Sequence, residues 1–237
     1  MKTTATTNSS PLVFFVSGIG GATQTTSCAA IADALAVLGY KPRLADADEA
    51  THSLARTAAS SLLLEPESIE AYISQTPQAE ADITLLDLSA ASNHRNLKAR
   101  LATAARRTPG LRVIMALTVT QGYPALAGLR PWVEAFLEIA EFVVCASERE
   151  TPIGEAFDLS KVRLALDVAD GRVINIPRWT GEMENQHLSA RGMPSDYLVG
   201  GRLFADLPSA ASWQLHQDKV IKSVAPLAPW LTGKPIP

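Results

Sequence analysis

Between Leu12 and Leu35 the chain runs from an apolar stretch, Leu12-Val13-Phe14-Phe15-Val16, through Ser17-Gly18-Ile19-Gly20-Gly21-Ala22-Thr23-Gln24-Thr25-Thr26, into Ala29-Ala30-Ile31-Ala32-Asp33-Ala34-Leu35. The first segment is β-branched and aromatic and reads as a buried strand; the last reads as a helix laying small and apolar residues on a sheet. Strand, glycine-rich turn and helix in that order leave backbone N–H groups at the helix N-terminus free to receive an anion. The stretch therefore calls for an α/β fold with a candidate phosphate cradle at the end of its first strand.

The P-loop template asks for Gly, four residues, then Gly-Lys-[Ser/Thr], and here Gly18 is followed after four residues by Thr23-Gln24-Thr25. Gln24 stands at the lysine position, so a fixed positive charge is replaced by a neutral amide. Thr23 stands where glycine is usual, and a β-branched residue forced to positive φ is strained by roughly 1–2 kcal/mol. Thr25 keeps the hydroxyl that ligates Mg²⁺. A ligand-free strand-to-helix turn is the competing reading of the same residues.

The remaining pattern repeats the α/β theme. Strands are expected at Lys41 to Ala45, Ala81 to Leu88, Leu111 to Val119, Phe142 to Ala146 and Val173 to Pro177, with Gly39 closing the first helix. Helices are expected over Ser53 to Leu64, Glu67 to Gln75, Asn96 to Arg107, Pro131 to Ile139 and Trp213 to Val224. Alternation of this kind implies βαβ units, a doubly wound, mostly parallel sheet and helices on both faces. Ligands of such sheets bind beyond the C-terminal strand ends, where Gly18 to Thr26, Asp46 to Asp48, Asp87 to Ser89 and Thr118 to Gln121 converge.

With 237 residues, 47% of them hydrophobic, the chain suffices for one domain over 11–237, preceded by a polar, threonine-rich leader over 1–10 expected to be disordered. A net charge of -3 supplies no global attraction to nucleic acid. Cys28 and Cys145 are far apart, each in an apolar setting, and read as buried thiols of a cytoplasmic protein. The absence of a long apolar run excludes a transmembrane helix from the expectations.

Three segments together resemble the ParA/MinD family of P-loop ATPases. The loop resembles that family's deviant Walker A, Lys-Gly-Gly-x-Gly-Lys-Thr-Thr, with Ile19 at the signature lysine and Gln24 at the second. Tyr40 to Asp48 looks like its second strand ending in Asp-x-Asp, and Asp82 to Asp87 like its Walker B strand. The resemblance, from Leu12 to about Pro177, implies cofactor contacts at Gly18, Gly20, Gly21, Ala22, Thr23, Gln24, Thr25 and Thr26. It implies Mg²⁺ near Thr25, Asp46 and Asp87, and Asp48 beside the attacking water. The base would lie near Ser147, where relatives carry an asparagine, and near Pro177. The competing reading of Asp46 and Asp48 is a strand end capping a helix, and that of Asp87 a polar strand terminus.

By the same resemblance, the expected function is partition or positioning of plasmids, chromosomes, division sites or conjugation machinery, with ATP and Mg²⁺ binding weakened or lost. A non-catalytic scaffold with a protein partner is the alternative, and a dethiobiotin-synthetase-type enzyme a third, although that class needs the missing lysine. The helix Arg95 to Arg107, with His94, Lys98, Arg100 and Arg106, is a basic stripe that contacts DNA or simply faces water. Arg178 to Gly201 is long and polar and reads as a partner-binding element. The Trp213 to Val224 helix is a poor interfacial anchor, with two lysines and a Trp taken as exposed, and is expected to dock on the domain. Because Ile19 can neither neutralise phosphate nor donate a hydrogen bond, the oligomeric state is expected to be independent of nucleotide.

Overall fold

The computed structural model describes residues 10–18, 23–58, 61–65, 68–75, 80–89, 92–119, 123–147, 167–177 and 207–237. Expectations for the leader over 1–9, for Ile19 to Ala22 and for the segment Arg178 to Gly201 lie outside these residues. The elements, in order, are β1 Leu12–Ser17, α1 Gln24–Val37, β2 Pro42–Ala47, α2 Ser53–Thr57, β3 Leu62–Leu63, α3 Ile69–Gln75 and β4 Ile83–Leu88. They continue with α4 His94–Arg107, β5 Val113–Val119, α5 Tyr123–Phe136, β6 Glu141–Ser147, β7 Val173–Ile176, α6 Leu207–Val224 and α7 Ala228–Thr232.

The strands form one seven-stranded sheet in the order β3-β2-β4-β1-β5-β6-β7, and every pairing is parallel. β1 lies between β4 and β5, the point at which the strand order reverses and ligand crevices open in doubly wound sheets. Its side chains alternate between two apolar layers, as the two-residue period of a strand requires. Leu12, Phe14 and Val16 join Leu97, Leu101, Trp132 and Phe136 from α4 and α5. Val13 and Phe15 join Cys28, Ile31 and Leu35 of α1 and Val220, Val224 and Leu231 of α6 and α7 on the other face. Phe14 and Phe15 are both fully enclosed, and burying each contributes about 1.5–3 kcal/mol relative to leaving it in water.

Three expectations about elements are corrected. The helix expected to reach Leu64 ends at Thr57, and Leu62 and Leu63 instead pair with Ala45 and Asp46 at the sheet edge. The helix expected to begin at Pro131 begins at Tyr123 and carries Pro131 inside it. That proline removes the N–H that would reach Ala127, an exposed residue whose carbonyl water can satisfy. Trp213, taken from sequence as exposed, is completely enclosed.

The chain's last helices are fastened at two levels. Gln217 Nε2 donates to Asp33 Oδ2 at 3.0 Å, joining α6 to α1 in a buried contact. At the opposite, N-terminal edge of the sheet, Arg112 grips Glu141 through Nε and Nη2 at 2.5 and 2.9 Å, and Trp230 Nε1 donates to Glu141 Oε2 at 2.9 Å. The Trp230 ring has the guanidinium carbons of Arg112 and Arg172 at 4.9 and 4.5 Å from its centroid, within cation–π range. Hydrogen bonding from Arg112 holds the Glu141 carboxyl below its ordinary value.

Candidate functional site

The C-terminal strand ends bring together Ser17 of β1, Asp46 of β2, Asp87 of β4, Thr118 of β5, Ser147 of β6 and Pro177 after β7. Register explains the grouping: Asp87 lies opposite Phe15 on one side and Asp46 on the other, Ser17 opposite Thr118, and Ser147 opposite Ile176. Thr23 precedes α1 with φ 59° and ψ 22°, the left-handed conformation expected of a glycine position. No side-chain cap is made by Thr23 to α1.

Gln24 is the hub of this edge. Its Nε2 donates to the Phe15 carbonyl at 2.8 Å, to Asp87 Oδ1 at 3.0 Å and, at short range, to the Leu88 carbonyl. Its Oε1 accepts from Ser17 Oγ at 2.7 Å. Two N–H protons thus face three acceptors, the complement an ammonium group with three donors would match. Thr25 Oγ1 donates to Asp87 Oδ2 at 2.6 Å. Asp87 is buried beside the buried Asp46, and burial pushes its carboxyl up to about 7, with Asp46 adding to the rise and the Thr25 and Gln24 hydrogen bonds opposing it.

The Asp-x-Asp pair is engaged locally. Asp46 Oδ1 accepts from the Asp48 N–H at 2.9 Å and Oδ2 from the Ala55 N–H at 2.7 Å, holding the β2–α2 turn. Asp48 Oδ1 accepts from the Ala50 N–H at 3.1 Å, and Oδ2 from the Thr51 hydroxyl. Only the Ala55 N–H belongs to α2, where Asp46 satisfies one unpaired amide of the helix start; the other contacts hold the turn before it.

At the other flank, Ser147 is buried at the end of β6, and the Pro177 carbonyl accepts from Nε2 of the buried His216 at 3.1 Å. A carbonyl only accepts, so that ring nitrogen carries the proton. Desolvation lowers the His216 pKa to about 4, leaving the imidazole neutral. Gly18 is met from below by α5: a Cβ at Gly128 would stand 2.1 Å from the Gly18 carbonyl oxygen and 2.6 Å from its Cα. Thr26 is half-buried on α1. Cys28 and Cys145 are free, buried thiols with pKa values pushed up by burial, which makes them poor nucleophiles.

Of the side chains that a nucleoside triphosphate and its magnesium would call for here, Thr25 and Asp87 are present among the described residues, and Gln24 stands in place of the loop lysine. The Gln24 amide is hydrogen-bonded to strand-end oxygens, and Thr25 donates to Asp87. The buried Thr118 hydroxyl has no hydrogen-bond partner among the described residues, but one neutral donor does not replace a lysine's charge. Among the described residues no cluster of His, Cys, Asp and Glu is arranged to hold a metal. Sequence reading missed Ser17 and Gly128 as members of the site; the Phe15 and Leu88 carbonyls are main-chain atoms without any side-chain signal.

The basic stripe lies on α4, which Asn93 caps by accepting from the Arg95 and Asn96 N–H groups. Leu97, Leu101 and Ala104 are its buried seam. Arg107 pairs with Glu70 at 2.5 Å, and the His94 ring meets Trp132 edge-on.

The all-parallel seven-stranded sheet with its flanking helices has the P-loop NTPase-like α/β fold of MinD and ParA proteins. No protein-family model and no curated protein matches the sequence. Among solved structures, the chain is similar to the septum site-determining protein MinD complexed with Mg-ADP from Pyrococcus horikoshii OT3, at 16% identity and a TM-score of 0.60 over 93% of this chain and 98% of that one. It is similar to the MinC:MinD cell division protein complex of Aquifex aeolicus at 15% identity and TM-score 0.58, covering 96% and 98% of the two chains. A ParA family ATPase from Chlorobium tepidum TLS follows at 11% identity and TM-score 0.56, covering 93% and 98%.

Proposed function

We propose that this protein is a positioning or partition-type protein of the MinD/ParA fold that binds a protein partner without using ATP as a switch. The observation that carries the reading is Gln24, whose amide is bonded to Phe15, Leu88, Asp87 and Ser17 in place of a phosphate-binding lysine. A fixed charge contributes a hydrogen bond roughly twice as strong as a neutral donor does, so its loss at this position weakens any phosphate contact that remains. The positioning role itself is supported by likeness of fold to MinD and ParA ATPases, one of them in a complex with MinC. That support is an analogy of fold, and one fold hosts many functions.

Calorimetric titration of Mg-ATP and Mg-ADP tests the nucleotide arm: the expected result is no saturable binding below the millimolar range, and submicromolar affinity overturns it. Light scattering is expected to give the same oligomeric state with ATP, ADP or neither, and a dimer formed only with ATP restores a switching ATPase. A fluorescent fusion in the native cell tests the positioning arm, expected as a focus or polar signal; a uniform signal, with cargo inheritance unchanged on deletion, removes it. DNA contact through the Arg95 to Arg107 helix is expected to be weak and to fall steeply with salt. Charge reversal at Arg106 and Arg107 should lower both the affinity and the salt slope.

A further inference from the structure

We infer that the Gln24 carboxamide is a built-in clasp: it ties the C-terminal ends of β1 and β4 to the first turn of α1, so the protein itself holds the geometry that a phosphate-binding lysine and its ligand hold elsewhere. Only the insensitivity to nucleotide rests on the function proposed above; the clasp stands on contacts within the chain.

Gln24 opens α1, and its side chain reaches back past the loop to two neighbouring strands. The Phe15 and Leu88 carbonyls lie on β1 and at the end of β4, where the pairing of β1 with β4 runs out, and both share the two Gln24 N–H protons with Asp87. Ser17 donates to the amide oxygen, and Thr25, the next residue along α1, donates to the far oxygen of the Asp87 that Gln24 touches. Every polar atom of the amide is therefore engaged, in a setting where an unmade bond costs the full desolvation of the group. The loop is also held at its first residue, since Gly128 on α5 admits no side chain against Gly18. One end of the loop is pinned by close backbone contact and the other by the clasp, and neither restraint involves a ligand.

The test compares wild type with Gln24→Met, which keeps the side-chain length and removes every donor and acceptor, and with Gln24→Lys, which offers three donors to the three oxygens. Thermal unfolding and amide hydrogen exchange are measured with and without millimolar Mg-ATP. Gln24→Met is expected to melt about 4–8 °C below wild type, the shift that one or two orphaned buried groups give a chain of this size. Its amides over 14–18 and 86–89 should exchange faster, while Gln24→Lys keeps wild-type protection there. If Gln24→Met fails to fold and Gln24→Lys folds, the clasp is supported; failure of both overturns it, because volume and not bonding then decides. Gln24→Met indistinguishable from wild type, with neither responding to Mg-ATP, overturns the clasp and leaves the proposed function intact. A wild-type melting point raised more than about 3 °C by Mg-ATP overturns the insensitivity to nucleotide and the function proposed from it.

Discussion

Thr23 holds a backbone conformation that glycine normally holds, with φ at 59°. Its β-branched side chain costs roughly 1–2 kcal/mol there, whereas glycine inserted at an ordinary structured position costs about 0.5–1 kcal/mol. Thr23→Gly should therefore leave stability unchanged or raise it by up to about 1 kcal/mol; urea unfolding checks this, and a clear loss would mean the threonine side chain makes compensating contacts. The strain was legible in the sequence, because the template's glycine position fixes the backbone whatever residue stands there. Gln24 was legible only as a missing lysine. Which oxygens its amide would find depends on how far β1 and β4 run past each other, and two of those oxygens belong to the main chain.

Among elements, the alternation of apolar runs and amphipathic segments gave the strands of the sheet interior closely, because each is buried on both faces. β3 was read as helix because a two-residue edge strand carries no period, and its exposed leucines (45% and 57%) resemble a helix seam. The start of α5 was missed because Pro131 looks like a first-turn proline. α6 was expected to dock, and it does, with Trp213, His216, Gln217, Val220 and Val224 turned inward. Trp213→Ala should cost about 3–5 kcal/mol, measured by chemical denaturation. A cost under about 1 kcal/mol would show that α6 is dispensable to the core. No described helix is long and apolar enough to cross a membrane.

At the scale of the whole molecule, two buried groups set opposite responses to pH. His216 has a pKa of about 4 against an ordinary 6.5. As pH falls through that window only the unfolded chain takes up the proton, and up to about 3 kcal/mol of stability is lost. Asp87 has a pKa of about 7 against 3.8. Between those values the folded chain keeps a proton that the unfolded chain has released, so stability falls as pH rises, by up to roughly 4 kcal/mol. The two slopes oppose each other from about pH 4 to 6.5. Taken as differences from wild type in urea unfolding with EDTA, His216→Gln should gain relative stability toward acid and Asp87→Asn should lose it. Parallel curves for all three proteins would show that neither group titrates as its burial demands. Sequence reading brought Asp87 to the correct edge of the sheet but not to this pKa, which arises first from complete burial and then from Asp46 alongside, against the opposing hydrogen bonds of Thr25 and Gln24.

The contact between Gly18 and Gly128 bears on what evolution can do with this chain. Position 128 is only half-buried and sits on an ordinary helix, the kind of place where alanine is normally the better residue by about 1 kcal/mol. Here the smallest side chain would stand 2.1–2.7 Å from main-chain atoms of Gly18, so the backbone itself would have to shift. In a saturation library of α5 sorted for folded protein, Gly128 should tolerate as little as Phe136 in the core, while the neighbouring exposed positions Ala127 and Arg130 accept most residues. Free exchange at 128 would mean that the two backbones part readily. If the restriction holds, drift can rewrite the exposed face of α5 but not the point where it crosses the loop.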